Sequence, residues 1–166
     1  MIRPSPSAWG PVRLESVAGL VRPLALYTYD PDVDLVSARL WQERTWEPFE
    51  TSLWIRAQRR GDTVVDVGAN LGYFSLLSAV AKRRAGRVVA FEPAADNFAL
   101  LTANLQLNDC RGRVEVVQAA LGACSGPGTL QRSEEVVGAR VVCCARHRGV
   151  SSERRHVDAA RALRAL

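Results

Sequence analysis

The stretch from Asp62 to Ala81 reads DTVVDVGANLGYFSLLSAVA and decides the fold. Its residues 63–67, TVVDV, are all β-branched except Asp66, which is typical of a strand. The small and turn-forming residues 68–72 follow, and an apolar-rich helical pattern then begins. A helix that starts at this turn presents unpaired N–H groups and a partial positive charge at its N-terminus. We therefore expect a ligand with a polar or anionic end where the strand becomes the helix.

Strands and helices alternate around this turn, from residue 61 to residue 131. The predicted strands read TVVDVG, GRVVAFEP and GRVEVVQAAL, and the predicted helices read LGYFSLLSAVAKRR and AADNFALLTANLQLN. Such alternation favours right-handed crossovers and a parallel sheet covered by helices. The prediction is an α/β fold with a three-layer, Rossmann-like parallel sheet. Asn104 and Asn108 are interpreted as the end of the second helix.

Residues 1–60 are predicted to form a separate lead-in with two helical stretches, DLVSARLWQER and EPFETSLWIRAQRR. In the second stretch Phe49, Leu53 and Ala57 recur every four residues, so we expect them to form one buried helix face. The tryptophans of this region are interpreted as core and interface residues: Trp41, Trp46 and Trp54.

Composition limits the class of protein. A chain of 166 residues with 48% hydrophobic and 23% charged residues fits one globular domain. No apolar run approaches the about 20 residues of a membrane span. Charged residues and prolines interrupt any apolar segment that could serve as an N-terminal signal. We expect a soluble cytoplasmic protein with no membrane partner.

The cysteine and charge patterns argue against two kinds of site. The cysteines lack the paired spacing of zinc ligands, so we expect structural thiols and no metal: Cys110, Cys124, Cys143 and Cys144. The net charge is +5, but Lys82 is the only lysine. We interpret this excess of arginine as GC-rich coding bias rather than as a phosphate-binding pattern, and we expect no nucleic-acid partner.

Two features of the predicted turns point to a nucleoside. Gly68 lets the chain turn sharply and lets a ligand approach the backbone, and Gly72 allows close packing at the helix start. Glu92 ends the second strand, 20 residues after Gly72. An acid at that position can accept hydrogen bonds from both ribose hydroxyls. Together, the glycine turn and the acid predict a nucleoside site.

S-adenosylmethionine fits this turn better than a dinucleotide does. A dinucleotide fold has the pattern G-x-G-x-x-G, whereas Asn70 and Tyr73 stand here in place of the second and third glycines. A pyrophosphate presses on the backbone at the second glycine, so that an asparagine is a poor fit. S-adenosylmethionine has no phosphate, and the helix N-terminus and Asp66 could bind its carboxylate and its amine.

Four motifs resemble the FkbM-type family of class I S-adenosylmethionine-dependent methyltransferases. They are a D-x-GAN-x-G-Y turn in VVDVGANLGYFSLLSA, a V-x-A-F-E-P second strand, an N-L-x-L-N helix end, and an A-L-G turn after the third strand. The upstream TWEPFETSLW is similar to the W-E-P lead-in of the same family. The resemblance covers about residues 43–131.

The resemblance implies roles for particular residues. Residues 66–72, including Asp66, Gly68, Asn70 and Gly72, would hold the methionine moiety, and Glu92 would hold the ribose. The turn at residues 118–121, with Gln118 and Ala119, would border the adenine through backbone groups and apolar stacking, since it carries no acid. Glu47 would reach the cofactor from the lead-in, although it could equally be an acid in the first turn of a helix. No catalytic base is identified.

Residues 132–166 depart from the family pattern. The family continues with a fourth strand that carries K-x-D-x-E-G, which is absent here. This tail holds eight arginines and four acidic residues. We interpret the chain as truncated or frame-shifted, or alternatively as a short protein with its own C-terminal cap. ARVVCCA is the one candidate for a fourth strand beside the first, and DAARALRAL is predicted to be a short helix.

The function predicted from these residues is methyl transfer from S-adenosylmethionine to a hydroxyl of a small molecule, such as a sugar or a secondary metabolite. With half of the domain missing, we expect the chain to bind cofactor weakly if at all, not to turn over, and to self-associate through an open sheet edge. Two alternatives stay open: a non-catalytic cofactor-binding or interaction fragment, and an NAD-type oxidoreductase.

Overall fold

A computed structural model of the chain describes residues 10–15, 17, 19–81, 86–121, 126–132, 139–142 and 154–157. The helices are α1 (Leu35–Glu43), α2 (Pro48–Ala57), α3 (Tyr73–Val80) and α4 (Ala95–Leu107). The strands are β1 (Val12–Leu14), β2 (Leu24–Leu26), β3 (Thr63–Val67), β4 (Arg87–Phe91), β5 (Val114–Val117), β6 (Gly126–Arg132), β7 (Ala139–Val142) and β8 (Arg154–Val157).

The centre of the fold is a parallel sheet in the order β3-β4-β5. Strand β4 lies in the middle, where Val88, Val89, Ala90 and Phe91 are all buried. Helix α3 connects β3 to β4, and α4 connects β4 to β5. The α/β prediction is confirmed, with each predicted strand and helix of this region present within a few residues of its expected bounds. A parallel register brings the three carboxyl ends to one edge of the sheet.

Helix α3 is buried along almost its whole length, and only Phe74 is partly exposed. Its apolar residues join those of β1, β2, α1 and α4 in one hydrophobic core. Leu76 and Leu77 of α3 are fully buried in that core. Within the described ranges, no helix is long and apolar enough to cross a membrane.

A hairpin of β1 and β2, which the sequence analysis did not predict, docks on α4 through two asparagines. The backbone amide of Tyr27 donates to Asn104 Oδ1 (2.6 Å), and Asn104 Nδ2 donates to the Tyr27 carbonyl (2.9 Å). Asn108 makes the same pair of bonds with Ala25, at 3.0 Å and 2.6 Å. The two side chains stand one helical turn apart and complete the hydrogen bonding of β2 as a neighbouring strand would. Asn108 does cap α4, but Asn104 lies inside the helix.

The buried face predicted for α2 is wrong. Phe49 is 75% exposed and Leu53 is 57% exposed, and Ala57 is exposed as well. The helix turns Trp54 inward instead, where its ring lies 5.0 Å from that of Phe74. The half-buried indole N–H also donates to Ser78 Oγ (2.8 Å), so both contacts of the tryptophan favour this orientation of the helix.

The C-terminal strands form an antiparallel sheet of their own, in the order β7-β6-β8. The segment ARVVCCA does contain a strand, but β7 pairs with β6 and not with β3. The expectation of a fourth strand beside the first is therefore wrong for this segment. Among the described strands, β3 pairs with β4 alone, which leaves its other edge unpaired. The predicted helix DAARALRAL lies outside the described residues.

Candidate functional site

The loop at residues 68–72 is held against the end of the neighbouring strand. The amides of Gly68 and Ala69 both donate to the Phe91 carbonyl, at 2.9 Å and 3.0 Å. The amide of Gly72 then donates to the Ala69 carbonyl (2.8 Å), which closes the turn before α3. The structure thus brings the glycine turn next to Glu92, which follows Phe91.

The two glycines of this loop have different surroundings. Both have a positive φ, 78° at Gly68 and 93° at Gly72. A Cβ atom on Gly68 would meet nothing within 4 Å, so this position faces open space. A Cβ atom on Gly72 would lie 2.6 Å from Leu101 Cδ1, so this position packs tightly against α4. The tight packing expected at Gly72 is observed, and Gly68 leaves the backbone open to a ligand.

Asn70 connects the loop to Glu92 through its backbone. It has a positive φ of 51°, which asparagine tolerates better than most residues. Its amide donates to Glu92 Oε2 at 2.8 Å. Its side-chain Oδ1 is buried and has no hydrogen-bond partner among the described residues. A buried acceptor without a donor is unfavourable, and a ligand with an N–H or O–H group could satisfy it.

Glu92 is the most densely bonded side chain of the site. It is only 3% exposed. Its Oε1 accepts from the Ala94 amide (2.9 Å) and from Asn97 Nδ2 (3.4 Å), while Oε2 accepts from Asn70. Burial raises the pKa of this carboxyl, against the lowering effect of its hydrogen bonds. A carboxylate oxygen can accept two bonds, so Oε2 keeps room for one ribose hydroxyl.

Asp66 is the next-to-last residue of β3 and precedes the glycine loop. It is 6% exposed, and its Oδ2 accepts from Ser75 Oγ at 2.6 Å. Burial raises the pKa of Asp66, partly offset by the bonds from Ser75. The side chain therefore links β3 to the first turn of α3, and its predicted contact with the cofactor amine stays a prediction.

The end of the third strand joins the same edge. The Glu92 amide donates to the Val117 carbonyl (3.1 Å), and the Ala119 amide donates to the same carbonyl (2.9 Å). Gln118 and Ala119 are half-buried, and Ala120 is buried. The fold therefore places this turn beside Glu92, and its predicted contact with adenine stays a prediction.

Glu47 lies one residue before α2, in the segment that approaches α3. It is exposed, with a φ of 43°, and its side chain makes no capping bond. The neighbouring Thr45 and Thr51 each hydrogen-bond the Tyr73 hydroxyl, at 3.1 Å and 3.2 Å. The lead-in thus touches the residue that follows the glycine loop. The first-turn acid of α2 is Glu50, and the predicted contact of Glu47 with the cofactor stays a prediction.

A supporting network that the sequence analysis missed extends from the hairpin to Glu92. The Tyr29 hydroxyl donates to Asn97 Oδ1 at 2.6 Å, and Asn97 in turn donates to Glu92. Asn104 also donates to the carbonyl of Leu71 in the glycine loop, at 2.8 Å. The spacing of Asn97, five residues after Glu92 in the first turn of the next helix, is a signal that could have identified it.

The described residues include no group of three or more histidine, cysteine or acidic side chains that could hold a metal ion. Cys110 is a buried, free thiol whose pKa is raised, chiefly by burial. The polar groups of the site are thus two buried carboxyls, a loop of backbone amides and the unpartnered Asn70 oxygen. Both carboxyls are buried, so neither is an exposed base among the residues that the structure describes here.

Comparison with protein families gives a match over most of the chain. Residues 32–147 match the sequence profile of the TRM5/TYW2 methyltransferase domain. A curated relative, the methyltransferase sdnD of Sordaria araneosa, is 40% identical over 65 residues, which are 38% of this chain and 24% of that protein. The chain therefore spans about a quarter of the length of this relative.

Solved structures of similar proteins include two from archaea. Trm5b from Pyrococcus abyssi is 24% identical over 67% of this chain and 28% of its own, with a TM-score of 0.41. TYW2 from P. horikoshii, solved in complex with MeSAdo, is 23% identical over 48% of this chain and 30% of its own, with a TM-score of 0.40.

Proposed function

This chain belongs to the TRM5/TYW2 methyltransferase domain family, and on that premise we propose that its glycine loop and Glu92 hold S-adenosylmethionine for methyl transfer. The proposal assigns residues 61–131 to cofactor binding, residues 1–60 to a lead-in and residues 132–166 to a separate tail. The activity, the acceptor and the partners of the whole protein are all part of the proposal.

The observation that carries the proposal is the loop at residues 68–72 beside Glu92. Gly68 faces open space, the α3 N-terminus follows, and the Asn70 Oδ1 atom has no partner among the described residues. The amino acid end of S-adenosylmethionine carries an ammonium group, which could donate to such an oxygen. Its carboxylate suits the partial positive charge of the helix N-terminus. One of its ribose hydroxyls would donate to Glu92 Oε2, which has one accepting position left.

The chemistry is an in-line displacement of the methyl group from a sulfonium. Positioning of donor and acceptor supplies most of the rate in such a reaction. A base helps only where the acceptor must lose a proton, and Asp66 and Glu92 are both engaged by hydrogen bonds and buried. We therefore assign them to binding and support, and assign proton removal to no residue of this chain.

A small-molecule hydroxyl is the acceptor that we propose first. It follows from the FkbM-type motifs, above all the D-x-GAN-x-G-Y turn at residues 66–73 and the F-E-P strand end at residues 91–93. An RNA nucleotide is the second candidate, because the family that matches residues 32–147 acts on tRNA. Parallel incubation of labelled S-adenosylmethionine with tRNA and with a panel of hydroxylated metabolites distinguishes the two by which pool gains label.

An NAD-type oxidoreductase is the less favoured alternative, because Asn70 replaces the glycine against which a pyrophosphate packs. A non-catalytic binding fragment is the other alternative. It shares the cofactor site but predicts binding without transfer of label to either acceptor pool.

The test of the proposed site is a map of backbone amide chemical shifts, recorded by NMR during titration with S-adenosylhomocysteine. We expect the amides of Gly68, Asn70 and Gly72 to shift. Gly61 and Gly112 serve as internal controls, because they lie at the opposite end of the sheet and should not respond. A map in which the control glycines shift and the loop glycines do not, or a stronger response to NADH, would contradict the assignment.

A further inference from the structure

A cavity of about 690 Å³ opens at the amino edge of the parallel sheet, opposite the glycine loop. Its walls come from the segments that enter the three strands: residues 60–61 before β3, 86–88 at the start of β4, and 111–115 at the start of β5. Strands β3 and β4 are five residues long. At about 3.3 Å per residue, the cavity therefore lies about 17 Å from the carboxyl edge. It is not part of the cofactor site.

The charges around this cavity are mostly positive. Four arginines and one glutamate line it: Arg60, Arg87, Arg111, Arg113 and Glu115. Arg87 forms an ion pair with Glu115 at 2.8 Å. Arg60 and Arg111 are exposed, and neither forms an ion pair within the part of the chain that the structure describes. Glu115 therefore neutralises one of the four arginines. The exposed guanidinium groups of Arg60 and Arg111 are available to an anionic ligand.

The backbone of the cavity wall is accessible as well. A Cβ atom added to Gly61 or to Gly112 would meet nothing within 4 Å, so a ligand can approach the chain closely at both places. Arg113 is oriented by a bond from Nη1 to the Ala79 carbonyl at 3.3 Å. The wall thus combines open backbone with arginine side chains, of which at least one is held in place.

We propose that this cavity binds consecutive backbone phosphates of an RNA strand. The planar guanidinium group of arginine can donate two parallel hydrogen bonds to one phosphate, which the ammonium group of lysine cannot do. Arg87 begins β4, and the other arginines lie in the segments that enter β3 and β5. Neighbouring strands are about 4.8 Å apart, so the row of arginines extends about 10 Å along the sheet edge. A single phosphate cannot reach all of that row, whereas a strand with several phosphates can.

The RNA site is distinct from methyl transfer and from the cofactor. The cavity and its charges favour a polymer of phosphates. The choice of RNA as that polymer rests on the RNA acceptor that is the second candidate under the proposed function. RNA held at the amino edge would be anchored by its backbone, without regard to base sequence. The arginines that line the cavity would then serve to bind phosphates.

The test compares two double variants of the full chain that lose the same charge. Arg60→Ala/Arg111→Ala removes the two arginines without ion pairs, and Arg39→Ala/Arg56→Ala removes two exposed arginines from α1 and α2. Binding of a fluorescein-labelled oligouridylate is followed by fluorescence anisotropy over a series of salt concentrations. Calorimetric titration with S-adenosylhomocysteine on the same proteins reports the cofactor site separately.

We expect the cavity variant to lose about tenfold in RNA affinity, with a salt slope reduced by about 1.4 for two lost phosphate contacts. The control variant should keep the parent's slope, and cofactor binding should match the parent in both. Equal losses in the two variants, or no RNA binding by the parent, would overturn the proposal. Vesicles containing phosphatidylserine form a third arm: vesicle binding that depends on Arg60 and Arg111, with RNA binding that does not, would overturn it as well.

Discussion

Replacement of Gly72 by alanine should destabilise the protein more than the same replacement at Gly68. Both glycines have a positive φ, which costs an L-residue about 1–2 kcal/mol. Only Gly72 adds a steric conflict, because its new Cβ atom would lie 2.6 Å from Leu101 Cδ1. Leu101 is fully buried, so its methyl group has no open space to move into. Overpacking of that kind costs about 1–3 kcal/mol.

The expected loss in the free energy of unfolding is therefore about 2–5 kcal/mol for Gly72→Ala and about 1–2 kcal/mol for Gly68→Ala. Urea unfolding followed by tryptophan fluorescence measures both. Gly68→Ala should instead lose affinity for S-adenosylhomocysteine, because its methyl group would enter the space proposed for the ligand. Equal destabilisation by the two variants would refute the difference in packing, and unchanged affinity in Gly68→Ala would refute the open face.

Two further predictions concern the asparagine clamp and the buried acid. Asn104→Ala removes three hydrogen bonds, two to Tyr27 and one to Leu71. At about 1 kcal/mol per bond, it should lower the free energy of unfolding by about 3 kcal/mol. Replacement of the exposed Gln106 by alanine on the same helix is the control, and equal losses in the two variants would contradict the role of Asn104. Because burial gives Asp66 a raised pKa in the folded state, the folded protein binds the proton more tightly, so stability should fall as pH rises from the ordinary aspartate pKa through the raised one. Asp66→Asn should lose the part of this dependence that comes from Asp66 and keep the part that comes from Glu92, whose pKa burial also raises. Urea unfolding between about pH 4 and pH 8 that shows parallel curves for the two proteins would contradict the prediction.

The parallel sheet could be predicted because its signals are local. The valine-rich run at residues 63–67 and the glycine turn after it are contiguous in the chain, and Glu92 follows its strand directly. Each element of this region is also long enough for its periodicity to be read. The same local signals place the glycine loop and Glu92 at one edge of the sheet.

The hairpin and the face of α2 could not be predicted, because distant residues determine them. Strands β1 and β2 have three residues each, too few to show a period. Their docking depends on Asn104 and Asn108, about eighty positions along the chain from their partners. Helix α2 carries apolar residues on both sides, and the contact between Trp54 and Phe74 decides which side is buried.

The most direct test of the proposed cofactor site is calorimetric titration of residues 1–166 with S-adenosylhomocysteine, for the parent chain, Glu92→Ala and Glu115→Ala. Glu115 is an exposed acid at the other end of the sheet and so serves as the matched control. We predict measurable binding by the parent and by Glu115→Ala. Glu92→Ala should bind more weakly by about 1.5–3 kcal/mol for each charged hydrogen bond lost to the ribose. Because Glu92 also holds the Asn70 and Ala94 amides, urea unfolding must first show that the variant is folded. Equal affinities in the parent and in folded Glu92→Ala, or no binding by the parent, would contradict the account.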